Sequence, residues 1–275
     1  MNATIAEARA AYARAIAKSA GVTDARVIEA FATVPREDFL GPGPWKLFRG
    51  EYRETESADA RLLYQDVLVA LAEDRRINNG QPSLHIKLID ALDVAAGERI
   101  VHVGAGTGYY TAILAELTGR GGIVDAYEIE EDLAAKAAMN LARWPHVRVH
   151  ARSATEGVLP GADIVYVNAG ATHPLRIWLD ALKDGGRLMF PLTTDNGMGF
   201  MLLVTRRGDA FAARAICPVG FITCIGGIDE KASAAFQDAL SRGGAGDVRS
   251  LRRDDVADAD TWLAGDGWQL SRRSI

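Results

Sequence analysis

The feature that most constrains the fold is an apolar run followed directly by three closely spaced glycines, over residues 100–111. Its sequence is IVHVGAGTGYYT, and AYE follows at residues 126–128. Alternating apolar residues predict a buried strand at 99–103, and the segment after the glycines predicts a helix at 109–118. Glycines at such a junction let a ligand approach the backbone and the free N–H groups of the helix N-terminus. The segment therefore predicts a site for a nucleoside-containing ligand.

The spacing of the glycines and of the next acid indicates which nucleoside is bound. Glu128 ends the next predicted strand, where a carboxylate can accept both hydroxyls of a ribose. A dinucleotide site has its third glycine at the position that Tyr109 occupies in this chain. The absence of this glycine disfavours a nicotinamide dehydrogenase. S-adenosylmethionine (SAM) carries no phosphate, and no Lys or Arg lies between Gly104 and Thr118 to repel its sulfonium. We therefore expect SAM as the cofactor, with contacts from Val103, Gly104, Ala105, Gly106, Gly108, Tyr109, Glu128, Ser153 and Asn168.

Strands and helices alternate through the middle of the chain. The pattern predicts strands at 99–103, 123–128, 147–150, 163–168 and 187–192, and helices at 109–118, 131–143 and 174–183. This order predicts an α/β fold with a doubly wound, mostly parallel, Rossmann-like sheet. Apolar runs at 200–204 and 211–219 predict an antiparallel hairpin at one edge of that sheet.

The two ends of the chain differ from this central pattern. Helices are expected at 4–19, before Gly21, and from Asp24 to just before Pro35, whereas residues 45–80 read as irregular. The aspartates at 254–260 predict a solvated face. We expect an N-terminal helical and substrate-facing segment at 1–80, a SAM-binding methyltransferase domain at 81–227 and a C-terminal extension at 228–275.

Composition and charge limit the classes of partner. A hydrophobic content of 48% is typical of a soluble globular protein with a large core, and no long apolar run follows a basic start. The net charge of -5 disfavours a nucleic-acid partner, since counterion release needs a basic face. With Cys217 and Cys224 alone, and no His or Cys cluster, we expect a reduced cytoplasmic protein with no metal site and no membrane association. The sequence carries no signal for an oligomeric state.

Six motifs together resemble the protein-L-isoaspartate O-methyltransferase family over roughly residues 24–227. They are VPREDF at 34–39, QP at 81–82, VGAGTG at 103–108, YE at 127–128, NAGA at 168–171 and LKDGGRLMFP at 182–191. The resemblance implies SAM held over the strand ends, with Gly104, Gly106 and Gly108 lining its methionine part and Glu128 its ribose. It also implies methyl transfer to the isoaspartyl carboxylate of damaged proteins.

Two positions depart from that family pattern. The family places a Ser hydroxyl just before its Gln-Pro or Ala-Pro pair, where it helps to hold the acceptor carboxylate, and this chain has Gly80 there. Arg152 stands where the family commonly has an acid suited to the adenine amino group. Ser153 or a backbone carbonyl are the alternatives for that contact.

The acceptor segment is expected just before the helix that starts at Pro82. A carboxylate with a pKa near 4 is already ionised at pH 7, so transfer to it needs alignment and a dry site rather than a strong base. The amides of Asn78, Asn79 and Gln81 are the predicted acceptor contacts, with Ser83 and His85 as further candidates. The competing interpretation of Asn78-Asn79-Gly80 is a plain turn.

The leading hypothesis is a SAM-dependent O-methyltransferase acting on a carboxylate of a protein or peptide. One alternative keeps SAM but changes the acceptor to a small molecule or a different peptide, because the Ser is missing at residue 80. Another is a non-catalytic binding module that retains the fold. Methylation of an exocyclic amine is disfavoured, because Asn168 is followed by Ala-Gly-Ala rather than by Pro-Pro and an aromatic residue.

Overall fold

The computed structural model describes residues 3–275, which alternate helices with strands over most of their length. The helices are α1 (Ile5–Ala20), α2 (Ala25–Thr33), α3 (Pro82–Leu92), α4 (Tyr109–Thr118), α5 (Glu131–Asn140), α6 (Arg176–Asp180) and α7 (Glu230–Ser241). The strands are β1 (Lys46–Phe48), β2 (Tyr52–Glu54), β3 (Leu68–Ala72), β4 (Ile77–Asn78), β5 (Arg99–Val103), β6 (Ile123–Glu128), β7 (Val147–Ala151), β8 (Ala162–Val167), β9 (Leu182–Thr193), β10 (Met198–Arg207), β11 (Ala210–Gly220), β12 (Ser250–Arg252), β13 (Thr261–Gly265) and β14 (Trp268–Ser271). Two compact units result: residues up to Glu98 join Ala105–Arg152 in the first, and Arg99–Gly104 joins Ser153–Ile275 in the second.

Both N-terminal helices of the first unit have capped ends, and Gly21 and Asp24 lie at the boundaries that the sequence predicted. Thr4 and Glu7 form a reciprocal capping box at the start of α1, which ends at Gly21 with a φ of 73°. Asp24 caps α2 by accepting the Arg26 N–H group. The apolar faces of both helices are buried, as expected, through Tyr12, Ile16, Val27 and Phe31. Both predicted helices are confirmed.

Residues 45–80 contain a small antiparallel sheet, so the prediction of an irregular segment is wrong. The strand order is β2-β1-β3-β4. Strands of two to five residues are too short to reveal a period in the sequence. They pack on a cluster of buried apolar side chains, namely Trp45, Leu47, Leu63 and Val69.

Helices α3 to α5 and the strands β6 and β7 complete the first unit. Pro82 is the first residue of α3, where its missing N–H group costs nothing. The strands β6 and β7 run parallel, with Glu128 opposite Ala151. The predicted strands and helices of this unit are confirmed, although α5 ends at Asn140 rather than at residue 143.

One sheet runs through the second unit in the order β5-β8-β9-β10-β11-β12-β14-β13. Strands β5, β8 and β9 are parallel neighbours, whereas every later pairing is antiparallel. The alternation of strands and helices and the hairpin β10–β11 are confirmed. The hairpin does not form the edge, however, because Phe211 and Ala212 of β11 pair with β12.

The C-terminal part adds α7 and three strands to the second unit. Phe236 and Trp262 are buried against Phe200 of β10, with ring centroids 5.5 and 5.9 Å from that of Phe200. The aspartates at 254–260 are partly or fully exposed, as expected of a solvated face, and two of them are also paired: Asp258 lies 2.7 Å from the Arg252 guanidinium, and Asp260 lies 2.9 Å from that of Arg273. The strands are again too short to be predicted from periodicity.

Candidate functional site

The glycine turn before α4 has the backbone that its sequence predicts. Gly104, Gly106 and Gly108 have φ values of 74°, 55° and 99°, in the left-handed region that favours glycine. A Cβ at Gly108 would also lie only 2.8 Å from Leu141 Cδ1. The Asn140 side chain fixes the turn by donating to the Thr107 carbonyl at 3.0 Å. The turn therefore has no side chain at residues 104, 106 and 108, just before the start of α4.

Glu128 lies at the end of β6 and is only 6% exposed. Its Oε2 accepts the Gly106 N–H group at 2.6 Å, and its Oε1 accepts the Glu130 N–H group at 3.0 Å. Burial raises the pKa of this carboxyl, and the backbone hydrogen bonds oppose that rise. A carboxylate has about four lone-pair sites. Backbone N–H groups of the chain use part of this capacity, and the rest is available for ligand hydroxyls.

In the second unit, Asn168 follows β8 and is held in one orientation. Its N–H group donates to the Val103 carbonyl at 2.8 Å, and its Nδ2 donates to His102 Nε2 at 2.8 Å. Burial lowers the pKa of His102 to about 3, so the imidazole is neutral and can accept that bond. The Asn168 Oδ1 is buried and has no hydrogen-bond partner among residues 3–275. This oxygen is a candidate acceptor for a ligand N–H or O–H group.

The side chains of Ser153 and Arg152 have different contacts. Ser153 forms a short turn, in which its Oγ lies 2.8 Å from Thr155 Oγ1 and accepts the Thr155 N–H group. The Arg152 guanidinium lies over the Tyr127 ring, 4.9 Å from its centroid. The cation thus packs on β6 where the resemblance implies an acid.

The predicted acceptor residues make hydrogen bonds within the first unit. Asn78 Oδ1 accepts the Gly80 N–H group at 2.9 Å, which is the turn arrangement that competed with an acceptor role. Asn79 Oδ1 accepts from Arg36 Nη2 and from the Val69 N–H group, both at 3.1 Å. The Asn79 carboxamide oxygen is therefore already engaged, whereas its Nδ2 is buried and has no hydrogen-bond partner among residues 3–275, so Asn79 stays a candidate donor to an acceptor carboxylate.

Asp66 was missed by the sequence reasoning and organises the start of α3. Its Oδ1 accepts the Ser83 N–H group at 2.8 Å, and its Oδ2 accepts Gln81 Nε2 at 3.1 Å. Gln81 itself provides no side-chain cap, so Asp66 takes that role from a distant position in the sequence. Nothing in the local sequence around residue 66 indicates this contact.

Arg36 is a second residue that the sequence did not single out. It is completely buried, and its guanidinium donates to the carbonyls of Leu63, Gln65 and Val67 as well as to Asn79. In the sequence, the position of Arg36 within the VPREDF motif was the one indication that this residue matters. Arg36 therefore ties the segment at 63–67 to the acceptor segment at 78–81.

The remaining expectations concern histidine, cysteine, metals and membranes. His173 Nδ1 lies 3.2 Å from Thr172 Oγ1, and burial lowers the pKa of His173. Neither Cys217 nor Cys224 forms a disulfide bond. Within residues 3–275, no group of three or more His, Cys, Asp or Glu side chains is arranged to hold a metal ion. None of the helices described is both long enough and apolar enough to cross a membrane.

Comparison with known proteins identifies one family over most of the chain. The family model described as Protein-L-isoaspartate(D-aspartate) O-methyltransferase (PCMT) matches residues 11–229. A Protein-L-isoaspartate O-methyltransferase 2 of Marinobacter nauticus is 32% identical over 213 residues, covering 75% of this chain and 87% of the relative. A Protein-L-isoaspartate O-methyltransferase of Pyrobaculum islandicum is 32% identical over 204 residues, covering 72% and 89%.

Solved structures agree on the fold. A protein-L-isoaspartate O-methyltransferase superposes with a TM-score of 0.67 at 22% identity, covering 85% of this chain and 68% of that one. A structure described as a putative protein-L-isoaspartate O-methyltransferase from Plasmodium falciparum, in complex with S-adenosyl-L-homocysteine, gives a TM-score of 0.64 at 17% identity, covering 79% and 98%. The predicted Rossmann-like α/β fold class is confirmed.

Proposed function

Because this chain belongs to the protein-L-isoaspartate(D-aspartate) O-methyltransferase family, we propose that it transfers the methyl group of SAM to the carboxylate of isoaspartyl residues in proteins or peptides. It is a SAM-dependent methyltransferase. The observation that carries the proposal is the family match at residues 11–229, which includes the glycine turn, Glu128 and the acceptor segment. We assign the methyltransferase domain to residues 81–227 and regard 228–275 as an extension.

The residues of the first unit fit SAM. Gly106 and Gly108 carry no side chain, so a ligand can approach the backbone of the turn closely, and Glu128 keeps lone pairs for the ribose hydroxyls after accepting backbone N–H groups. No Lys or Arg lies in the turn to repel a sulfonium. When bound, SAM supplies an electrophilic methyl group.

The second unit offers polar groups of its own. The unpartnered Asn168 Oδ1 can accept a hydrogen bond, and the hydroxyl of Ser153 supplies a second polar group. We propose both as cofactor contacts, in addition to Gly104 and Val103.

The chain's own residues contribute orientation rather than proton transfer. An isoaspartyl carboxylate is ionised at neutral pH, since the unperturbed pKa of a carboxyl is about 4. The segment at 78–81 holds its shape through Arg36, Asp66 and the Asn78 turn, so it can present polar groups at fixed positions. Asn78, Asn79 and Gln81 stay in the proposed acceptor set, and the unpartnered Asn79 Nδ2 supports this for Asn79. Fixed alignment in a water-poor site is the main source of rate for such a transfer.

The test compares two peptides that differ only in one linkage. Purified protein is incubated with tritiated SAM and either an isoaspartyl peptide or its aspartyl twin. We expect base-labile label on the isoaspartyl peptide only. Label on neither peptide, despite tight binding of S-adenosylhomocysteine measured by calorimetry, would refute the isoaspartyl acceptor. Absence of binding to that product would refute the cofactor assignment and favour a binding module.

A second candidate keeps SAM and changes the acceptor to a small molecule or a different peptide. The specific observation in its favour is Gly80, which removes the hydroxyl that the family pattern places beside the acceptor. A screen of candidate carboxylates with tritiated SAM separates this candidate from the first. We further propose a cytoplasmic location and no nucleic-acid partner, in line with the net charge of -5 and with two cysteines that form no disulfide bond.

A further inference from the structure

The Asn168 carboxamide is bonded inside the second unit at its nitrogen and has no partner at its oxygen. Nδ2 lies 2.8 Å from His102 Nε2, and because an amide nitrogen can only donate, the imidazole nitrogen is the acceptor. Oδ1 is buried and has no hydrogen-bond partner among residues 3–275. A buried oxygen without a partner costs free energy, so Oδ1 marks a position at which a donor from outside the chain can bind.

His102 is fixed within the sheet of the second unit. It is completely buried and lies opposite Tyr166 in the parallel pairing of β5 with β8, and its ring stacks on that of Tyr166 with centroids 5.4 Å apart. Asn168 is fixed as well, because its backbone N–H group donates to the Val103 carbonyl at 2.8 Å. Both ends of the hydrogen bond between His102 and Asn168 are therefore anchored to neighbouring strands.

The Asn168 side chain lies beside the first glycine of the turn. A Cβ built at Gly104 would lie 3.6 Å from Asn168 Cβ, which is ordinary van der Waals contact. Both residues are partly exposed, and the glycine carries no side chain, so a ligand can approach the two together. The family resemblance implies that Gly104 lines the methionine part of SAM. Within that part, the α-ammonium carries the N–H groups, whereas the carboxylate only accepts hydrogen bonds.

We propose that His102 is a positioning residue for the cofactor, which holds the Asn168 carboxamide so that Oδ1 accepts a hydrogen bond from the α-ammonium of SAM. This inference rests on the proposed function and deepens it. The terminal torsion of asparagine is broad and roughly two-fold. Without an acceptor for Nδ2, the carboxamide would also turn its NH2 group towards the ammonium and repel it. A hydrogen bond from an ionised donor is about twice as strong as one between neutral groups.

The experiment compares S-adenosylhomocysteine with an analogue that lacks only its α-amino group. Calorimetry measures the dissociation constant of each ligand for the wild type and for each variant. His102→Phe and His102→Leu remove the acceptor of Asn168 Nδ2, His102→Gln restores an acceptor oxygen, and Asn168→Ala removes the carboxamide. Val165→Ala, at a buried apolar position of β8, is the matched control for lost packing.

We expect Asn168→Ala to weaken binding of S-adenosylhomocysteine about 10-fold or more, the loss typical of a hydrogen bond to a charged group. His102→Phe and His102→Leu should weaken it about 3- to 10-fold, because the acceptor is present but no longer held in place. His102→Gln should recover most of that loss. The analogue without the amino group should bind the wild type and all these variants equally well. In the Asn168→Ala background, His102→Phe should cost nothing further.

Equal losses for the two ligands in His102→Phe or His102→Leu would overturn the inference, because His102 would then act only on the stability of the sheet. Unchanged affinity of these variants for S-adenosylhomocysteine would also overturn it. The two acceptor-free variants differ in shape, so a folding defect in one leaves the other to decide. Absence of S-adenosylhomocysteine binding to the wild type would instead refute the cofactor assignment, and with it the proposed function.

Discussion

Glu128 is the residue on which the cofactor assignment depends most directly. Glu128→Ala removes the carboxylate that remains available to the ribose after its bonds to Gly106 and Glu130. We expect binding of S-adenosylhomocysteine to weaken by about 1.5 to 3 kcal/mol, as for other charge-assisted hydrogen bonds. Calorimetry measures the change, with the exposed Glu131→Gln as the control. Equal affinity in the wild type and in Glu128→Ala would remove Glu128 from the cofactor site.

His102 gives a residue-scale prediction about pH. Burial lowers its pKa to about 3 in the folded chain, whereas an unfolded histidine has a pKa of about 6.5. The unfolded state therefore binds a proton at a pH where the folded state does not, so stability is present above pH 6.5 and is lost as the pH falls towards 3.

Between pH 7 and pH 5.5 we expect this residue alone to cost roughly 1 kcal/mol of unfolding free energy. Urea unfolding at the two pH values should show a smaller loss for His102→Gln, which keeps a hydrogen-bond acceptor for Asn168 but does not titrate. Identical losses in the wild type and the variant would show that His102 is not the group responsible.

At the scale of the element, Arg36 is the side chain that holds the acceptor segment together. Its guanidinium satisfies three backbone carbonyls and the Asn79 oxygen inside the first unit. Arg36→Met removes four hydrogen bonds from a buried charged donor, so we expect the unfolding free energy to fall by about 3 kcal/mol or more. Arg36→Lys should recover little, because an ammonium cannot reproduce the planar fork.

Urea unfolding checks this prediction, with the exposed Arg14→Gln as the control. A loss no larger than that of the control would mean that backbone acceptors at residues 63, 65 and 67 find other partners. The peptide KM of Arg36→Lys is a second readout, since a displaced acceptor segment should bind the isoaspartyl peptide less well.

The elements predicted from the sequence were those with a clear period and a clear cap. Thr4 and Asp24 mark the starts of α1 and α2, and the glycines at 104–108 mark the junction of β5 and α4. The short strands at 46–78 and after residue 250 lack enough residues to show an alternation. Contacts such as Asp66 to Ser83 depend on tertiary structure, so no local pattern predicts them.

At the scale of the whole molecule, the C-terminal part is integral to the second unit. Trp262 is 2% exposed and packs on Phe236 and Phe200. We expect Trp262→Ala to lower the unfolding free energy by about 3 to 5 kcal/mol, because it leaves a large cavity. Val256→Ala, at a position 68% exposed, serves as the control in the same urea titration. A change of less than about 1 kcal/mol in Trp262→Ala would mean that residues beyond 228 are a dispensable appendage.

Two asparagine–glycine pairs in this chain bear on its own chemical ageing. When asparagine precedes glycine, the glycine nitrogen can close on the carboxamide carbon and expel ammonia, and opening of the resulting ring yields an isoaspartyl linkage. Asn79 is enclosed and tethered by Arg36, whereas Asn196 lies exposed in the turn between β9 and β10. Prolonged warm incubation followed by peptide mapping should therefore locate deamidation at residue 196, and damage concentrated at residue 79 would contradict this. The Arg36 hydrogen bond that orders the acceptor segment thus also protects Asn79 from forming the isoaspartyl linkage on which the enzyme acts.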